Sequence, residues 1–158
     1  MLIILILLFT QGILSRHIGE LVCRECGATI TRQSELKNLT AADPKHVKYS
    51  YDFPISGKSV HVDVLENPKG EKFHVFGSKT AVLKYHGQAM SDATWFPGMK
   101  WTICVCRECG RHMGWYFEPE TSSGTEVEDT KNSFVGLVLE RLISADYIDT
   151  LTKTPDFK

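Results

Sequence analysis

No charge of one sign dominates this chain of 158 residues: 18 lysines and arginines stand against 19 aspartates and glutamates, a formal net charge of −1. With both signs interspersed, it offers no electrostatic footprint for nucleic acid or for an anionic membrane surface. No apolar run is long enough to cross a bilayer, which takes about 20 residues. There is no low-complexity segment and no long-period repeat, which excludes solenoids and tethering linkers. What remains is one domain with enough chain for a hydrophobic core.

Residues 1–15 (MLIILILLFTQGILS) lack any charged side chain and run apolar from Leu2 to Phe9. That pattern fits the apolar core of a secretory signal, with cleavage after Gly12 or Ser15. A buried N-terminal strand and a short uncleaved anchor are the competing readings. The sequon Asn38-Leu39-Thr40 agrees with a secretory route, because it can accept a glycan. The expected organisation is a leader over 1–15, a folded domain over 18–145 and a mobile tail over 146–158, in a secreted protein.

Cysteine is sparse and odd in number: five, at positions 23, 26, 104, 106 and 109. Four of them fall in a twice-repeated string, Cys-Arg-Glu-Cys-Gly, at Cys23–Gly27 and Cys106–Gly110. Secreted chains commonly pair their cysteines as disulfides. A disulfide inside Cys-x-x-Cys closes a very small loop, however, and is more often redox-active than structural. Two such pairs on separate knuckles point instead to one tetrahedral zinc held by Cys23, Cys26, Cys106 and Cys109. Four thiolates leave no position for a metal-bound water, so the zinc is structural. His112 then falls outside the filled shell and reads as a surface or hydrogen-bonding residue. Cys104 shares a strand face with Cys106 and is assigned no function.

Alternation of apolar and polar residues predicts strands over Lys48–Phe53 and Ser59–Leu65, with Val60, Val62 and Val64 on one face. Shorter strands are expected at Phe73–Phe76, Thr80–Tyr85, Thr102–Cys106 and Gly114–Phe117. Asn67-Pro68-Lys69-Gly70 and Phe96-Pro97-Gly98-Met99 are turn signals, the second suited to type II. Residues 118–132 read as a polar loop. Phe134–Ile143 is the best helical candidate, although Gly136 and two valines weigh against it. The whole is an all-β chain of short strands held by zinc.

All three tryptophans lie between Trp95 and Trp115. Packing into a core is the ordinary fate of a tryptophan. Here Trp95 and Trp101 flank a Pro-Gly turn, and Trp115 follows on a strand joined through the second knuckle. Three indoles gathered near one turn form three walls of a box suited to a flat or cationic ligand.

The string from Trp95 to Phe117, Trp-Phe-Pro-Gly-x-x-Trp-Thr-x-x-x-Cys-x-x-Cys-x-x-His-x-Gly-Trp-x-Phe, closely resembles the thalidomide-binding (CULT) domain typified by cereblon. Cys23-x-x-Cys26, the Asn67-Pro68-x-Gly70 turn and Phe134-x-Gly136-Leu137 extend the match over nearly all of the chain after the leader. The resemblance implies two antiparallel sheets crossing at a steep angle and pinned by a four-cysteine zinc. It also implies a cage of Trp95, Trp101 and Trp115 for a glutarimide, dihydrouracil or related cyclic imide. Phe117 would lie at the cage base and Asn67 near its mouth, with backbone around Ala93 to Trp95 meeting the imide edge. A C-terminal cyclic imide on a peptide presents the same edge. Ala93-Thr94 replaces the family's His-Ser, and an insert lengthens the region from Ala41 to Gly57. Cereblon's large N-terminal domain and adaptor-binding region have no counterpart in this sequence, so no ubiquitin-ligase adaptor is expected.

Two other readings compete. Cys-x-x-Cys-Gly-x-His-x-Gly also resembles B-type methionine sulfoxide reductases, whose chemistry needs a reactive cysteine outside the zinc site. No cysteine follows Cys109 to supply it. A purely protein-binding extracellular module is the third class. The favoured expectation is a binding protein, not an enzyme.

Overall fold

The computed structural model describes residues 18–39, 41–120 and 132–152. The expected leader, Thr40 of the sequon, most of the 118–132 loop and the end of the expected tail lie outside the described residues. Eleven strands occur among those described: β1 (Glu20–Cys23), β2 (Thr29–Arg32), β3 (Leu36–Lys37), β4 (Val47–Ile55), β5 (Lys58–Glu66), β6 (Lys72–Ser78), β7 (Leu83–Met90), β8 (Met99–Cys106), β9 (His112–Pro119), β10 (Phe134–Val138) and β11 (Leu142–Ser144). A helix, α1 (Ala145–Thr152), follows β11.

The strands form two antiparallel sheets. The small one runs β11-β1-β2, and the large one runs β4-β5-β6-β10-β9-β8-β7, with β3 pairing to β6 alongside β5. The all-β expectation of two antiparallel sheets holds. Period-2 alternation sorts the apolar side chains of the large sheet into two clusters. β6 sends Phe76 to one cluster and Val75 to the other, and β10 sends Val135 and Leu137 to the first and Phe134 to the second. The first cluster also contains Leu21, Ile30 and Leu142 from the small sheet, together with Cys23 and Cys106. The second is mostly aromatic, its buried members being Trp95, Phe96, Phe117 and Phe134 with Leu65 and Val75.

The expected strands and turns fall close to their places. Val60, Val62 and Val64 are all buried on β5. The Asn67–Gly70 turn joins β5 to β6, where the Gly70 amide donates to the Asn67 carbonyl at 2.9 Å. At the other turn the Met99 amide donates to the Phe96 carbonyl at 3.0 Å, with Gly98 at φ 78°, as a type II turn requires.

One expectation is corrected. Phe134–Ile143 is not a helix: Phe134–Val138 is a central strand, all five residues buried between β6 and β9. A strand hemmed in on both edges and both faces is apolar without alternation, so its run of apolar residues imitates a buried helix. A 3₁₀ turn at Leu139–Arg141 then leads into β11. Past β11, Asp146 in the first turn of α1 accepts the Gly19 amide at 3.1 Å, between the helix and the residue before β1.

Gly114 is the tightest point of the large sheet. It lies at φ 152°, and an added Cβ would run into the carbonyl oxygen of Gly136 on β10. Gly114→Ala is therefore expected to cost about 1–3 kcal/mol or more, the range for forced overpacking. Gly70 (φ 80°) has open space around it, so Gly70→Ala serves as the control for backbone strain alone. The urea midpoint of Gly114→Ala should fall clearly below that of Gly70→Ala.

Candidate functional site

The two knuckles are built alike. At the first, the Gly27 amide donates to the Cys23 carbonyl at 2.8 Å and the Cys23 amide to the Ala28 carbonyl at 2.8 Å. At the second, Gly110 donates to Cys106 at 3.0 Å and Cys106 to Arg111 at 2.8 Å. Gly27 and Gly110 sit at φ 76° and 73°, left-handed positions that reverse the chain just after the second cysteine of each pair. Each knuckle thus presents its two sulfurs on one side of a turn.

The four sulfurs meet, all within 4.8 Å of one another. Cys23 and Cys109 are 3.7 Å apart, and Cys26 and Cys106 are 3.6 Å apart. A tetrahedron with metal–sulfur bonds of about 2.3 Å has edges of about 3.8 Å, so the cluster has the size of a four-thiolate metal site. Backbone amides reach the sulfurs as well: Ala28 that of Cys26, Glu108 and Cys109 that of Cys106, and Arg111 that of Cys109. Amide donors of this kind favour thiolates. His112 is not part of the cluster.

The six residues expected at a ligand site, Asn67, Ala93, Trp95, Trp101, Trp115 and Phe117, all line one cavity of about 720 Å³. Register explains the meeting. On the β8–β9 hairpin Trp101 pairs with Phe117 and Ile103 with Trp115, so these side chains share one face of the large sheet. Trp95 enters from the β7–β8 loop and meets Trp115 edge to face, ring centroids 4.7 Å apart. The indole N–H of Trp95 donates to the Glu66 carbonyl at 3.0 Å, and that of Trp101 to the Asp92 carbonyl at 2.8 Å. Trp95 and Phe117 are buried, whereas Trp101 and Trp115 are half-buried.

Two aromatic rings of the lining were not anticipated. Phe73 on β6 packs its ring 5.1 Å from Trp115, edge to face. His112 lies 4.6 Å from Trp115, also edge to face, and its Nε2–H donates to the Gly114 carbonyl at 3.1 Å. Phe73 was legible only as a strand residue, because its approach to Trp115 depends on sheet order. His112 carried a signal: it lies three positions before Trp115, at the start of the same strand. Asn67 does line the cavity, but its carboxamide is occupied within its own turn, Oδ1 accepting the amides of Lys69 and Glu71 at 3.0 and 2.9 Å. Cys104 is fully buried, and burial pushes its thiol up to about 12 against an opposing backbone hydrogen bond at Tyr116.

Two outcomes follow from this geometry. Cys106→Ser removes one of four ligands, so elemental analysis should find the metal lost, and the far-UV circular dichroism of the variant should be that of an unfolded chain. Burial also lowers the His112 pKa from its ordinary 6.5, with nearby Arg141 acting in the same direction and the Gly114 hydrogen bond opposing both. The fold favours the neutral ring, so its contribution is complete above pH 6.5 and is lost as pH falls through the lowered folded value. Between about pH 7.5 and 5.5, the wild-type urea midpoint should fall further than that of His112→Gln.

No family model matches the chain. Curated relatives do, each bearing the name protein cereblon. The protein of Gallus gallus is 30% identical over 128 residues, 78% of this chain and 23% of its own length. That of Xenopus tropicalis is 33% identical over 102 residues, covering 62% of this chain and 19% of the relative. That of Drosophila melanogaster is 34% identical over 99 residues, 61% and 14% respectively. The chain thus spans less than a quarter of the length of these relatives. The match, the two antiparallel sheets and the four-sulfur cluster agree with one another: the chain carries a cereblon-like domain of the CULT family.

Proposed function

We propose that the chain is a secreted, zinc-stabilised binding protein whose aromatic cavity takes a small cyclic imide or pyrimidine-like ring, such as a glutarimide, a uracil or a cyclic imide at a peptide C terminus. The observation that carries this reading is that three tryptophans and the Ala93 segment line one cavity, of a volume typical for small-ligand sites. The hydrogen-bonding state of the backbone supports it further. Among the described residues the Ala93 carbonyl and the Trp95 amide make no hydrogen bond, while the Trp95 carbonyl already accepts the Asp43 amide at 2.8 Å. An acceptor and a donor two residues apart suit an imide, whose edge alternates acceptor, donor, acceptor.

Zinc is the metal proposed, because four thiolates at tetrahedral spacing are its usual structural set. Its place is structural, with an apparent contribution of roughly 10–16 kcal/mol in small zinc modules. Binding is favoured over sulfoxide reduction by the state of Cys104. A nucleophilic cysteine needs an accessible thiolate, and this thiol is buried and held protonated to about pH 12. A ubiquitin-ligase adaptor is not part of the proposal, since the match to cereblon covers a minor share of each relative.

Glutarimide is expected to quench the tryptophan fluorescence of the metal-loaded protein. N-methylglutarimide, which lacks the imide donor, should bind about tenfold more weakly or worse, because a carbonyl is left unpaired. Trp101→Ala should weaken glutarimide binding at least about tenfold while metal content stays unchanged. Equal binding of the N-methyl compound, or normal binding by Trp101→Ala, would overturn the reading and leave an interaction module in its place. For secretion, the N terminus of protein recovered from the medium of a secreting cell should lie between Gly12 and His17. An intact Met1 on cytosolic protein would contradict it.

A further inference from the structure

Donors and acceptors around the cavity are unequally used. The indole N–H groups of Trp95 and Trp101 are both taken by backbone carbonyls. The Asn67 carboxamide is consumed in its turn, and its Nδ2 donates to the Glu71 carboxylate at 2.6 Å. Those side-chain donors are therefore occupied. Glu71 and Asp92 both belong to the lining, and neither forms an ion pair among the described residues. Lys69 is the one lysine or arginine on the same lining, and His112 is held toward its neutral form by burial. Two carboxylates against one ammonium leave the lining with a net negative charge.

We infer that the cavity selects rings bearing a protonated amine, with Glu71 as the specificity-determining residue. The inference rests on the reading of this cavity as a ring-binding site. The ring lies among the indoles, and its ammonium group meets the Glu71 carboxylate in a charge-assisted hydrogen bond, beside aromatic faces that also attract a cation. Asn67 acts through Glu71: its Nδ2–H fixes one carboxylate oxygen and so fixes where the charge sits before any ligand arrives. It is a positioning residue and not a ligand contact. The carboxylate is exposed, so its effect is a modest preference, sensitive to salt.

Two probes test this, a glutarimide carrying a ring aminomethyl group and its hydroxymethyl counterpart, titrated by tryptophan fluorescence against the metal-loaded protein. At low salt the amine is expected to bind about fivefold more tightly than the alcohol, the scale of one exposed ion pair with a cation–π contact. At about 1 M salt, where screening acts over about 3 Å, the gap should narrow. Glu71→Gln keeps an oxygen that can accept from Asn67, so it should close the gap while leaving the alcohol's affinity within about twofold. Glu71→Lys should reverse the preference. Equal binding of the two probes by the wild type, or a gap that survives in Glu71→Gln, overturns the role of Glu71 and leaves the ring site standing. If neither probe binds, nor glutarimide itself, both the inference and the ring-binding reading fall.

Discussion

Four sulfurs tie together parts of the chain 86 and 80 positions apart, and the arrangement of both sheets depends on that tie. The small sheet has strands of only three or four residues, too little to stand alone in water. Its Cys23 knuckle is joined by the metal site to the Cys106 knuckle at the end of β8. The cluster thus does for a loop-rich domain what a larger core does elsewhere, by making the approach of two sheets a matter of coordination as well as of packing.

The same tie reaches the aromatic cavity through register. The second knuckle is the connection between β8 and β9, so its geometry helps set which residues face each other along that hairpin. Trp101 opposes Phe117 and Ile103 opposes Trp115. A slip by one residue would carry the whole set to the opposite face, into the cluster that holds Cys104 and Val135. Trp101 lies five residues from Cys106, about 17 Å along a strand. The sulfur cluster therefore includes no lining residue, yet it shares the β8–β9 hairpin that presents two of the three indoles, Trp101 and Trp115. This separation allows the cavity to be altered at Trp101 without disturbing coordination, whereas loss of a sulfur takes the cavity with it.

The parts of the fold that were legible in the sequence are those in which the chemistry is local. Knuckle spacing, the glycine after each pair, the Pro-Gly turn and the alternation of Val60, Val62 and Val64 each bear their meaning within a few residues, and the structure places them accordingly. Phe134–Val138 was misread because a strand buried on both faces loses the alternation that identifies strands. The hydrogen bond from the Gly19 amide to Asp146 was not legible, because the two residues are distant in sequence. Phe73 was invisible as a cavity residue for a similar reason, since only the order β6-β10-β9 brings it to Trp115. Resemblance to the CULT family supplied Asn67 as a mouth residue, but only hydrogen-bond accounting shows that its polar atoms are engaged within the turn.

The backbone at Ala93 joins these arguments. Among the described residues two non-glycines have positive φ, Ser56 at 47° and Ala93 at 53°. Ser56 needs no special account: with Gly57 at φ 80° it forms the two-residue connection between β4 and β5, and both central residues of a type I′ turn are left-handed. Ala93 has no such hairpin to serve, because it lies in the longer loop between β7 and β8. Holding alanine there costs on the order of 1 kcal/mol, and surrounding contacts have to hold it in place. The Trp101 indole bound to the Asp92 carbonyl and the Trp95 indole bound to the Glu66 carbonyl grip the loop on both sides of it. The tryptophans are thus more than walls, since their N–H groups restrain the strained segment whose unpartnered carbonyl and amide line up beside the cavity. Strain held at that point, and not relieved by a glycine, is what a preformed edge for an imide would require.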